Sequence, residues 1–143
     1  MKVSEIMSTE IVFATTTDSI CNIAKLMNEN HVGSIPICNE NEEIVGIVTD
    51  RDIILRSIAC DKDIKETKIT EIMTTDIWSI TPDTDICEAT TIMKENQIRR
   101  LPVVENSKII GILSIGDLIR SKKTDEHQVN DTMECICNCN KNC

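Results

Sequence analysis

Apolar residues lie along the chain in short unbroken runs and at helical spacing, and both patterns occur twice in the same order. Ile35–Cys38 and Ile44–Val48 are apolar with little alternation, as are Leu101–Val104 and Ile109–Leu113. Runs of this kind predict strands covered on both faces. A shorter strand is expected ahead of each set, at Ile11-Val12-Phe13-Ala14 and Ile77-Trp78-Ser79-Ile80. Next, Ile20, Ile23, Ala24 and Met27 keep the i, i+3, i+4, i+7 spacing of a helix face, and Ile86, Ala89 and Met93 keep it less fully. Thr17 or Asp18 is the expected N-cap of the first helix. Asp85 is that of the second, with Glu88 three residues on completing a capping box. Each third strand runs into another short helix. The order is β-α-β-β-α, twice, a mixed α/β chain.

The chain also matches itself residue by residue. Ser4-Glu5-Ile6-Met7-Ser8-Thr9 corresponds to Thr70-Glu71-Ile72-Met73-Thr74-Thr75, Ile20-Cys21 to Ile86-Cys87 and Pro36 to Pro102, at an offset of 66. Beyond the polar turn Asn39–Glu43 the offset becomes 65, carrying Gly46 to Gly111 and Asp52 to Asp117. A one-residue deletion in a polar turn is where a repeat tolerates change. Two copies are too few for a solenoid, so the expectation is a pair of halves related by pseudo-twofold symmetry. Residues 1–58 form the first copy, 59–68 a charged linker that can hold one helical turn, 69–121 the second copy, and 122–143 a polar, Cys-rich tail.

Composition narrows the chemistry. With one Phe, one Trp and no Tyr in 143 residues, the core is aliphatic and stacking platforms for single-stranded nucleic acid are lacking. A formal net charge of −9 repels nucleic acid and anionic membranes. The N-terminus has no signal-peptide pattern and no segment is long and apolar enough to span a bilayer, which makes the cytoplasm the expected compartment. Cys21, Cys38, Cys60 and Cys87 are read as small buried or half-buried residues. His31 and His127 are the only histidines, and neither stands beside a nucleophile. No catalytic arrangement is expected.

Thr49-x-x-Asp52 and Ser114-x-x-Asp117 end the third strands. The pattern has two readings. A hydroxyl residue and an acid three positions on can cap the following helix. The same carboxylate can accept from both hydroxyls of a ribose, while the hydroxyl residue meets sugar or phosphate oxygens. Arg99-Arg100 is either a solvated pair at a helix end or a phosphate fork. Its counterpart, Gly33-Ser34, is neutral, so two sites built on these segments would differ. In the tail, Cys135, Cys137, Cys139 and Cys143 could complete a Zn or Cu(I) site, although the spacing is not that of a zinc ribbon. A disordered, redox-sensitive tail is the other reading, with the polar stretch 122–131 as its linker.

Two copies of this order, with Gly-Ile-Val-Thr-x-x-Asp and Gly-Ile-Leu-Ser-x-x-Asp, resemble the CBS-domain family. So do Ile6-Met7, Ile72-Met73 and the strands opening Ile35-Pro36 and Leu101-Pro102. The resemblance covers residues 1 to 121. It implies a Bateman module of two CBS repeats that binds adenosyl compounds, such as AMP, ADP, ATP or S-adenosylmethionine, in clefts between the copies. It also implies a homodimer, and a regulatory rather than enzymatic role exerted on an effector protein. Carried over, it joins Ile11, Val12, Gly33, Ser34 and Ile35 to Ile112, Ser114 and Asp117 in one site. The other site joins Ile77, Trp78, Arg100 and Leu101 to Ile47, Thr49 and Asp52, with Arg99 able to reach phosphate in either. Under the resemblance Asp52 and Asp117 are favoured as ribose ligands, and no cofactor is required. The competing class is a dimeric scaffold for a thiol- or metal-binding tail.

Overall fold

The structure is a computed structural model that describes residues 1–121 and 124–138. It divides into two compact bodies, one formed by Val12–Ile77 and the other by Met1–Ile11 together with the chain from Trp78 onward.

In the first body, strands β1 (Ala14–Thr15), β2 (Ser34–Cys38) and β3 (Ile44–Thr49) form a sheet in that order, β1 parallel and β3 antiparallel to β2. Helices α1 (Ile20–Asn30) and α2 (Asp50–Arg56) accompany it. Every residue of β2 is buried, as its unbroken apolar run predicts. The core joins Ile20, Ile23 and Met27 of α1 to Ile35, Ile37, Val48 and Ile53, and it is closed by Ile69 and Ile72.

The second body repeats this plan. Strands β4 (Arg100–Glu105) and β5 (Lys108–Ser114) pair antiparallel, with helices α3 (Ile86–Asn96) and α4 (Ile115–Arg120). Its core holds Ile86, Ala89, Met93, Leu101, Val103, Leu113 and Leu118, closed by Val3 from the start of the chain. Asn106 and Ser107 both have positive φ between β4 and β5, the backbone that suits a two-residue hairpin turn.

The leading strands are shorter than expected. The first is reduced to Ala14–Thr15, and Ile77–Ile80 forms only a parallel bridge, with Ile80 N–H donating to Pro102 O at 3.0 Å and its carbonyl accepting from Val104 at 2.8 Å. The register is nevertheless the same, since Ala14 faces Ile37 and Ile80 faces Val103. The cap of α1 is Ser19, whose hydroxyl accepts from Asn22 N, rather than Thr17 or Asp18. Asp18 instead accepts from Thr15 N and holds the preceding turn. Asp85 does cap α3, but it accepts from Cys87 N and the Met1 ammonium, and no box closes with Glu88. Both α1 and α3 end on a left-handed residue, His31 and Gln97, at equivalent positions.

Three further expectations are corrected. Ala24 is exposed on α1, whereas its counterpart Thr90 on α3 is buried. Cys60 and Cys87 are exposed thiols rather than half-buried ones, while Cys38 lies buried in β2, where burial pushes its thiol up. The stretch 122–131 is not a linker throughout, because helix α5 (Glu126–Asn138) begins within it. Val129 and Ile136 of α5 join the second core, and Gln128 donates to Thr90 Oγ1 at 2.9 Å.

Candidate functional site

The residues expected to bind ligand divide between the bodies. Val12, Gly33, Ser34, Ile35, Ile47, Thr49, Asp52 and Ile77 belong to the first, and Ile11, Trp78, Arg99, Arg100, Leu101, Ile112, Ser114 and Asp117 to the second. In each body a strand pair brings the pre-proline segment onto the hydroxyl–acid motif. Ser34 faces Thr49 across β2 and β3, and Arg100 faces Ser114 across β4 and β5. The backbone repeats the match, with Asp50 N–H donating to Gly33 O and Ile115 N–H to Arg99 O, both at 3.0 Å. Ile35 and Leu101 are fully buried, so their side chains are core and only their backbone can meet a ligand. Trp78 is 52% exposed. Val12, Ile11 and Ile77 are half-buried.

Both hydroxyl–acid motifs form helix caps. Thr49 Oγ1 accepts from Asp52 N at 3.1 Å and Asp52 Oδ2 accepts from Thr49 N at 2.9 Å. Ser114 and Asp117 make the same exchange at 3.2 and 2.8 Å. Beyond that the acids differ. Asp117 also accepts from Ser114 Oγ at 2.6 Å, from Arg120 at 2.7 Å and from Ser8 Oγ at 3.1 Å. Burial works to raise its carboxyl, but the bonds from Ser114, Arg120 and Ser8 together hold it below the usual carboxylate value. Among the described residues Asp52 has, besides its cap, only Arg56 Nε at 3.6 Å. Arg56 spends its Nη1 on Ile72 O at 3.0 Å and Thr74 Oγ1 at 3.2 Å.

Ser8, Thr74, Arg56 and Arg120 were not among the expected site residues. The signals were present, since Ser8 and Thr74 are equivalent hydroxyls after Ile-Met. Arg120 and Arg56 follow their acids by three and four residues, one helical turn. What spacing alone could not reveal is that Ser8 pairs with Ile112 of the second copy, and Thr74 with Ile47 of the first. Those pairings also commit the backbone N–H and C=O of Ile47 and Ile112. Arg99 and Arg100 are exposed, and neither has a carboxylate partner among the described residues. They remain available to an anion.

Of the four tail cysteines, Cys139 and Cys143 lie outside the described residues. Cys135 and Cys137 are exposed on α5. Two positions apart on a helix, they point to different sides, so they do not form one chelating pair. Among the described residues no three His, Cys, Asp or Glu side chains gather as a metal site. A half-open groove between α4 and α5, lined by Leu118, Ile119, Val129 and Met133 among others, includes none of the expected ligand residues. No described helix is long and apolar enough to cross a membrane.

Comparison with known proteins agrees with this architecture. The CBS domain-containing protein YhcV of Bacillus subtilis (strain 168) is 35% identical over 124 residues, 87% of this chain and 87% of that protein. The crystal structure of the CBS domain pair of MJ0100, in complex with methylthioadenosine and S-adenosyl-L-methionine, superposes with a TM-score of 0.75 at 28% identity. That match covers 84% of this chain and 94% of the other. Hypoxic Response Protein I, solved with two coordinated zinc ions, superposes with a TM-score of 0.79 at 26% identity, covering 85% and 98%. The CBS domain model matches residues 3–58 and again residues 69–123, so this chain belongs to the CBS domain family and carries the domain twice.

Proposed function

We propose that the chain is a regulatory module that binds an adenosyl compound and passes the change on to an effector protein. The observation that carries this reading is the occupied MJ0100 pair, similar over most of this chain, which holds two adenosyl compounds. The duplicated hydroxyl–acid pairs supply the matching chemistry. A carboxylate oxygen can accept from a ribose diol, and the guanidinium groups of Arg99 and Arg100, which have no carboxylate partner among the described residues, suit phosphate or another anionic group. A small positive patch is also what a chain of net charge −9 needs to hold an anionic ligand. Differential affinity for two states of the module, or of a homodimer of it, would be the signal. Calorimetric titration of the full chain against AMP, ATP and S-adenosylmethionine at fixed salt tests the reading. Saturable binding by one of them supports it, and no heat from any of the three overturns it.

A second reading, a scaffold for a metal-binding tail, is favoured by the zinc-bound neighbour. The divergent placement of Cys135 and Cys137 counts against it. It predicts stoichiometric Zn or Cu(I) uptake by the full chain, lost on truncation after Asp131.

A further inference from the structure

The two acids hold equal places in the repeat and unequal hydrogen bonds. A carboxylate has about four acceptor sites. On Asp117 they are filled by Ser114 N, Ser114 Oγ, Arg120 and Ser8 Oγ, and its side chain is 6% exposed. On Asp52 a single hydrogen bond from Thr49 N occupies Oδ2, and the side chain is 17% exposed. Arg56 Nε stands 3.6 Å from Oδ1, an ion pair beyond hydrogen-bond length, while its Nη1 donates to Ile72 O and Thr74 Oγ1.

We propose that the two ligand sites of this chain are not equivalent: Asp52 is its working ribose acceptor, while Arg120 and Ser8 already occupy the acceptor sites that a ribose would need on Asp117. The proposal rests on the adenosyl reading above. A diol arriving at Asp52 meets an oxygen, Oδ1, that accepts no hydrogen bond among the described residues and has only the Arg56 ion pair at 3.6 Å. One arriving at Asp117 must first break a charge-assisted bond of 2.7 Å and a hydroxyl bond of 3.1 Å. Losing one charge-assisted hydrogen bond weakens binding by on the order of tenfold to a hundredfold. The inequality is written at single positions. Arg120 corresponds to Leu55, which has no donor to offer Asp52. Ser8 corresponds to Thr74, whose hydroxyl takes a hydrogen bond from Arg56 instead.

Calorimetric titration of the full chain with AMP and with S-adenosylmethionine, on the parent and three variants, tests it. The parent is expected to bind one molecule per chain, and Asp52→Asn to weaken that binding at least tenfold. Arg120→Leu, at a side chain 73% exposed and therefore tolerant of replacement, should add a second, weaker site. Leu55→Arg, the reverse change, should weaken the parent's site with Asp52 intact. Two equal sites in the parent overturn the proposal, as does a parent-like Asp52→Asn or an Arg120→Leu protein still limited to one site. In those cases the adenosyl reading stands. If neither the parent nor Arg120→Leu binds AMP, S-adenosylmethionine or ATP, both fall together.

Discussion

Asp117 shows how one side chain can serve as a helix cap and as a tie between distant segments. Its carboxylate holds Ser114 at the end of the preceding strand, Arg120 one turn on, and Ser8 from the start of the chain. Because these bonds hold its carboxyl below the usual value, the sign of its pH dependence follows. The stability it contributes is complete above the unfolded value of about 3.9, and it is lost as pH falls through the lower folded value. Urea midpoints followed from pH 7 to pH 3 should therefore fall more steeply in the parent than in Asp117→Asn. Parallel curves would remove Asp117 as a source of acid sensitivity. Gly111 is constrained differently. A Cβ there would stand 2.8 Å from Met7 Sδ and 3.1 Å from the Ser8 carbonyl, and a Cβ at Gly46 would collide with Met73 Sδ. The glycines let the Ile-Met segments cross the strands closely. Gly111→Ala is expected to cost about 1–3 kcal/mol through overpacking, read as a lowered urea midpoint with an unchanged slope. A midpoint equal to the parent's would mean that Met7 and Ser8 yield freely.

At the scale of elements, α5 explains an asymmetry between otherwise matching helices. It lies on α3 through Val129, Ile136 and the Gln128–Thr90 hydrogen bond, and Lys94 pairs with Asp131 at 2.9 Å. The α3 face that it covers corresponds to the α1 face where Ala24 is open to solvent. Thr90 is 2% exposed for this reason, although nothing in its own helix separates it from Ala24's environment. The segment is helical because it buries an apolar stripe, and its polar composition reflects the outward side. Ile136→Ala should cost about 2–4 kcal/mol if the stripe carries this packing. Hydrogen exchange should then quicken in α5 and α3, with α1 unaffected. Unchanged exchange in α3 would show that the two helices are not energetically joined.

At the scale of the whole molecule, each body is completed by a segment from elsewhere in the chain. Val3 is fully buried in the body that contains Trp78, and its N–H donates to Thr84 O at 2.9 Å, with Ser8 pairing to Ile112. Ile69 and Ile72, which follow the linker, close the other body. Deleting residues 1–9 should therefore destabilise the second-copy body, by several kcal/mol if Val3, Ile6 and Met7 all lose their burial. The expected result is increased hydrogen exchange in β4, β5 and α3, with β2 and α1 spared. Increased exchange confined to β2 and α1 would contradict this assignment of the N-terminal segment.

Periodicity and duplication were enough to determine the α/β class, the helices and paired strands of each copy and the two hydroxyl–acid motifs, because the spacing of apolar residues records which faces are buried. The buried β2 run, the Asp85 cap and the equivalence of Asp52 with Asp117 were all legible there. Tertiary structure alone decided which body receives Ile6-Met7 and Ile72-Met73, since a local pattern shows that a residue is buried but not against what. It also decided that Ser19 caps α1, where several hydroxyl and acidic residues competed, and that α5 continues the second core. Most consequentially for function, it decided that Asp117 has its acceptors filled while Asp52 does not. That difference depends on Arg120 and Ser8 converging within 3.1 Å of one carboxylate from positions more than a hundred residues apart in sequence.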